Sequence, residues 1–220
     1  RENPKYFLWF GVLAGLGLEN KHSMLFFGFA LVAGLLLTRD RRYFADKWIW
    51  IAGAIALAIF LPNLIWQYQH NWPTLEDLSN VKRMHKNVEL PPLPFLGQQI
   101  AMLLPTTLPV WAAGLWFFFF DSKGKQYRTL GWAFVILLGT MMLLKGKDYY
   151  SSPAYPMLFA AGGVFWEKGL EVWRRIRWLK VALPLVIALS GAVVLPLGLP
   201  VLQVDSLLRY VDALGARPPK

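Results

Sequence analysis

Seven apolar runs, at 6–18, 22–37, 48–66, 95–120, 129–144, 153–166 and 179–199, alternate with short polar connections along the chain. Apolar runs of this length predict helices, and 48–66 crosses roughly 30 Å of hydrocarbon without strain at about 1.5 Å per residue. The first two runs are too short to cross comfortably. Between them stands Glu19-Asn20-Lys21-His22, which leaves two readings open. One is a discontinuous pair of helices whose polar junction faces protein or water; the other is a hairpin turn. In both, an ammonium at Lys21 calls for an anionic partner. Pro62-Asn63 predicts a kink or an unwound last turn in the third run. Pro105 and Pro109 predict a kink, not an end, in the fourth.

The polar stretch 67–94 contains apolar residues at 75, 78, 81 and 84. That recurrence predicts a short amphipathic helix lying on the membrane, with Thr74 as its N-cap and a basic end at Lys82-Arg83. A second short amphipathic helix is predicted from Asp205 to a glycine stop at Gly215. Domain organisation follows: 1–200 as a transmembrane part, 67–94 as a loop on one face, and 201–220 as an amphipathic helix leading into a linker. Charge returns at Lys145-Gly-Lys-Asp-Tyr-Tyr-Ser-Ser-Pro-Ala-Tyr-Pro156, where two lysines and two tyrosines stand between apolar runs.

Composition agrees with a polytopic membrane protein, since 56% of the residues are hydrophobic, 16% are charged and mean hydropathy is +0.39. The 11 tryptophans gather at the ends of apolar runs, at the depth of lipid headgroups. No cysteine is present, which excludes disulfides and thiolate chemistry. The net charge of +10 is spread through connections rather than along a helix face, which argues against nucleic acid and for anionic lipid. His70 and His85 lack a third ligand in register, so no metal site is expected. Alternating the connections puts the larger share of Lys and Arg, with Arg39, Arg41, Arg42, Arg128, Arg174, Arg175 and Arg177, on one side. The positive-inside rule makes that side cytoplasmic. Lys21, the 67–94 loop and the Lys145 cluster then share the outer face.

Lysines supply point charge, arginine a fork and tyrosine hydroxyls neutral donors, so this outer face suits a phosphate or pyrophosphate. The Lys145–Pro156 motif, with Gly15-Leu-Gly-Leu-Glu-Asn-Lys-His22 and Pro62-Asn-Leu-Ile-Trp-Gln-Tyr-Gln-His70, resembles bacterial members of glycosyltransferase family 39. These are protein O-mannosyltransferase-like enzymes of the GT-C superfamily, related to the transferase that places aminoarabinose on lipid A. The resemblance implies an all-α, polytopic transmembrane bundle in the inner (plasma) membrane. It also implies inverting transfer of a sugar from a polyprenyl-phosphate donor to an acceptor protein, glycan or lipid on the periplasmic face. Carried over, it assigns the donor phosphate to Lys21, to Lys82 or Arg83, and to Tyr150, with Lys145, Lys147 and Tyr149 as second choices. Family acidic catalytic residues would lie upstream, so the base is unknown within this chain. No cofactor is called for, and a divalent cation stays open. The competing class is a transporter or lipid-carrier flippase, for which broken helices holding buried charge are equally natural.

Overall fold

The computed structural model describes residue 3, residues 5–84 and residues 90–215, apart from the Lys82 side chain. Where the sequence is apolar over more than two turns, backbone hydrogen bonds close within the chain, as hydrocarbon demands. Helices α1 (Tyr6–Asn20) and α2 (Met24–Leu36) flank the Glu19–His22 break, which is a hairpin. Lys21 leaves α1 in extended conformation at φ −155°, and α2 restarts as Met24 donates to the Lys21 carbonyl. Phe7, near the start of α1, packs edge-on against Tyr43 at 5.5 Å, in the 3-10 turn Arg39–Ala45 that follows α2. The two helices therefore return to the same level, which settles the choice between in-line pair and turn.

Helix α3 (Lys47–Gln69) runs parallel to α1. Gly11 lies against the Ala52 backbone, Gly15 against Ile59, and His22 Nε2 lies 3.2 Å from Asn63 Oδ1. A Cβ at Gly15 would come within 2.8 Å of Ile59 Cβ, so these glycines set the closeness of the pair. Pro62 neither ends nor unwinds α3; a proline inside a membrane helix removes one backbone bond that its surroundings can compensate. At about 1.5 Å per residue the hairpin arms reach only about 20 Å, whereas α3 reaches about 35 Å. The Lys21 turn, level with Asn63, consequently sits about 9 Å below the end of α3. Beyond α3, Asn71 and Trp72 both take φ 58°, and α4 follows at Pro73–Arg83. Thr74 lies inside α4 instead of capping it. Gln67 does that work, accepting from the Thr74 N–H at 3.2 Å while its amide donates to the Thr74 hydroxyl.

Helices α5 (Pro92–Met102) and α6 (Leu108–Phe120) meet at 89°. The expected kink is an end. Pro105 disfavours helical geometry at the residue before it, and Leu104 takes φ 66°. The Thr107 hydroxyl then bonds the freed carbonyls of Leu103 and Leu104 at 2.7 and 2.9 Å. Next come α7 (Arg128–Leu143), α8 (Tyr155–Val172), α9 (Leu179–Gly198) and α10 (Val204–Ala213). α6 and α8 pack closely where Gly114 lies against the Leu158 backbone and Gly162 against that of Val110. α2 lies antiparallel to α7, with Gly34 against Thr129 and Ala133. The core gathers here: Phe95, Phe118, Phe134, Leu137, Met141, Tyr155 and Leu158 pack together with Ala30. α10 ends as expected at Gly215, φ 63°, and Tyr210 donates to the Val193 carbonyl of α9 at 2.7 Å.

Among the described residues every regular element is a helix and there is no strand. By length and composition, α3 and the stretch 174–198 containing α9 can each cross a bilayer, and the bent α5–α6 pair makes a third if it counts as one span. The runs 6–18 and 22–37 are the short helices α1 and α2 on either side of Lys21–Ser23, and the run 95–120 is divided at Leu103–Leu104 into α5 and α6.

Candidate functional site

The end of α7 sets up the site. Gly146 donates to the Met141 carbonyl at 2.8 Å and Lys145 to that of Met142 at 3.3 Å. This is the double closure of a Schellman turn, in which the left-handed residue is usually glycine. Here Lys145 takes that place at φ 51°. Gly146 follows it because a Cβ there would lie 2.9 Å from Met141 Sδ. The chain then enters a 3-10 helix, Asp148–Ala154, with the Asp148 carboxylate accepting from the Tyr149 N–H at 2.9 Å.

A buried amide fixes this segment. Gln99 of α5, 1% exposed, donates to the Asp148 carbonyl at 3.1 Å. Its oxygen accepts from the hydroxyls of Ser151 and, at 3.1 Å, Tyr155. Every polar atom of Gln99 but one N–H is thereby used inside the protein, as burial in an apolar core requires. Two tyrosines that precede Ser151 are held in register by it.

Tyr149 and Tyr150 stand nearly perpendicular, 83° apart, with centroids at 5.0 Å. The Lys21 ammonium lies over both rings, 4.7 Å from Tyr149 and 5.1 Å from Tyr150. Lys147 Nζ is 5.9 Å from the Tyr149 ring on its own segment. Lys21, Tyr149 and Tyr150, but not Lys147, border a cavity of about 200 Å³, to which Asn20, Ser23 and Pro153 also contribute. Ring faces attract the ammonium without consuming its N–H donors. Among the described residues no carboxylate pairs with Lys21. The Tyr150 hydroxyl has its pKa raised, first by burial, then by Tyr149 and Asp77, with Lys147 opposing. Tyr150 is therefore a neutral donor beside a cation, an arrangement suited to an oxyanion.

Of the other residues the sequence singled out, Lys145 is exposed and does not border the cavity. Arg83 is exposed and donates to Asn80 of its own helix at 2.9 Å. The Lys82 side chain, with His85 and Lys86, lies outside the described residues. Helix α4 bears on the site through the charge of Asp77 on Tyr150. Among the described residues no three His, Asp or Glu side chains gather as a metal-holding group. Asn20, Ser23 and Gln99 were not singled out. Gln99 carried a signal, as an amide pair, Gln98-Gln99, inside an apolar run.

Residues 1–66 match a family described as dolichyl-phosphate-mannose-protein mannosyltransferase. That match covers α1, α2 and most of α3, and so the Lys21 half of the cavity but not the tyrosine half. No curated protein and no solved structure matches the chain at a significant level.

Proposed function

We propose that this cavity binds the phosphate of a polyprenyl-phosphate sugar, and that the chain is the donor-binding part of a membrane glycosyltransferase. The observation that carries the reading is the convergence of the Lys21 ammonium with Tyr149 and Tyr150 on one small cavity. The similarity of residues 1–66 to a mannosyltransferase family that acts through dolichyl phosphate supports it. The chemistry follows from charge. As the anomeric carbon leaves its phosphate, negative charge grows on the phosphate oxygens, and donors already in place lower the barrier. Lys21 supplies charge and Tyr150 a hydroxyl, while a base from outside this chain deprotonates the acceptor. An acceptor on a protein, glycan or lipid then attacks with inversion.

The distribution of charge supports a periplasmic site in the inner membrane. Arg39, Arg41, Arg42 and Arg128 gather at the opposite end of α2 and α7, the end that positive-inside bias assigns to the cytoplasm. The transporter reading loses one of its supports, since Glu19–His22 is a hairpin and not a break within a span. In membranes holding the intact protein and a labelled polyprenyl-phosphate sugar, Lys21→Met is expected to slow transfer to acceptor about 100-fold. Tyr150→Phe should slow it less, with expression and thermal midpoint kept in both. Unchanged rates in both variants, or label crossing the membrane still on its carrier, would sink the proposal.

A further inference from the structure

The run 48–66 that becomes most of α3 carries a single side-chain amide, Asn63, among apolar residues and tryptophans. An amide in such surroundings is costly unless it is hydrogen-bonded. Its partner is His22 of the hairpin turn, whose Nε2 lies 3.2 Å from Asn63 Oδ1. An amide oxygen only accepts, so Nε2 carries the proton and donates. One helical turn earlier, the buried Phe60 shares a face with Asn63 and meets the imidazole edge-on, with ring centroids 5.6 Å apart. Ring and nitrogen are both held by α3, which fixes how the imidazole is turned.

The turn itself has little else to seat it. Gly11 and Gly15 bring the body of α1 against α3, whereas Gly17, nearer the turn, packs against Met24 of its own hairpin. Backbone bonds at the turn are local: Lys21 donates to the Gly17 carbonyl, Met24 to that of Lys21 and Leu25 to that of His22. Among the described residues the bond from His22 to Asn63 is the hydrogen bond that ties the turn to α3. Lys21 is extended, at φ −155° and ψ 119°, and extended backbone sends successive side chains to opposite sides. His22 goes to α3, and Lys21 goes to Tyr149 and Tyr150. Neither His22 nor Asn63 borders the cavity.

We propose that His22 and Asn63 are positioning residues of the phosphate site: the bond between them sets where the Lys21 ammonium stands over the two tyrosines, and neither touches the ligand. This rests on the phosphate reading of the cavity. Lysine is a point charge on a flexible stem, and its attraction for an oxyanion falls with distance. Anchoring the next residue to a long helix holds the base of that stem, so less freedom is lost when the ammonium engages a phosphate. His22 therefore acts on the ligand through Lys21 alone.

The test uses the intact protein in nanodiscs of zwitterionic phospholipid, with a labelled polyprenyl phosphate displaced by the unlabelled compound. His22→Phe keeps a ring on Phe60 and removes the nitrogen, and Asn63→Leu removes the acceptor. Each is expected to weaken binding about fivefold, the scale of one hydrogen bond. The double variant leaves no polar group stranded, so its thermal midpoint should return close to wild type while its affinity stays as low as that of either single variant. Lys21→Met should weaken binding further, and adding His22→Phe to it should change nothing, because residues that act through one group are not additive. Wild-type affinity in the double variant overturns the inference, since the bond would then serve stability only. A further loss when His22→Phe is added to Lys21→Met overturns it as well, since His22 would then act by another route. Both results leave the phosphate site standing. If Lys21→Met binds as wild type does, the phosphate reading falls and the positioning role with it.

Discussion

The two ends of the α2–α7 pair hold polar groups in opposite ways. At the arginine-rich end, the hydroxyls of Thr38 and Thr129 lie 2.8 Å apart, and Thr129 also donates to Asp40 Oδ2 at 2.6 Å. Asp40 returns its own N–H to Thr38 Oγ1 at 3.4 Å. The two hydroxyls and the Asp40 carboxylate there are spent on one another, with Thr129 6% exposed, although the buried Nε of neighbouring Arg128 has no hydrogen-bond partner among the described residues. At the other end, Lys21 touches Tyr149 and Tyr150 only through ring faces and leaves its N–H groups for something else. A cluster that satisfies itself contributes structure; one that keeps charged donors in hand beside a cavity is equipped to bind. Since the same two helices join both ends, changing one end at a time separates the roles.

The largest effect is expected from the seam between the ends. A Cβ at Gly34 would fall 2.7 Å from the Thr129 carbonyl oxygen and 3.1 Å from the Ala133 nitrogen. Gly34→Leu should push α2 off α7, lowering stability by about 1–3 kcal/mol. It should also weaken phosphate binding, because Lys21 stands in the turn that leads into α2 and the tyrosines follow α7. Thermal unfolding and prenyl phosphate competition read the two consequences separately. Loss of stability with full affinity would show that the hairpin is placed by α3 alone.

Next comes the amide beneath the tyrosines. Gln99→Leu strands the buried Tyr155 hydroxyl, at a cost of about 1–3 kcal/mol, and leaves Ser151 only its bond to the Asp148 carbonyl, loosening the segment that carries Tyr149 and Tyr150. The KM for a polyprenyl-phosphate sugar should rise, whereas Gln99→Glu, which keeps the acceptor, should recover most of it. A KM that does not move would mean that the tyrosines are held by something other than Gln99.

What could be read from the sequence divides along the same line. Helix positions followed from apolar periodicity, and α10 with its Gly215 stop followed from local chemistry, because turns and caps are settled by neighbours in the chain. Lys21, Tyr149 and Tyr150 stood out because charge and hydroxyls between apolar runs are costly unless used. Their meeting across more than a hundred residues could not be derived from spacing, since it depends on the antiparallel seating of α2 on α7. The end of α5 was missed for a related reason: Pro105 is compatible with a kink or a stop, and the stop is stabilised by Thr107 bonding two carbonyls. Gln67 as the partner of Thr74 was missed because the intervening turn puts two non-glycine residues at positive φ, which sequence gives little reason to expect.

The smallest effect belongs to the arginine-rich end, and it is the sharpest check on the comparison. Thr129→Val keeps the shape of the side chain and removes the hydroxyl that joins Thr38 to Asp40. One hydrogen-bonded group lost should cost about 0.5–1.5 kcal/mol. The cost stays at the low end if Asp40, in the 3-10 turn Arg39–Ala45, turns to solvent. Prenyl phosphate affinity should not change, since Gly34 and the packed core between the two ends keep α2 on α7 without that bond. If Thr129→Val weakens phosphate binding as much as it lowers the thermal midpoint, the seam transmits strain from one end to the other. The self-satisfied cluster would then be part of the binding apparatus, and the division of labour drawn between the two ends would have to be given up.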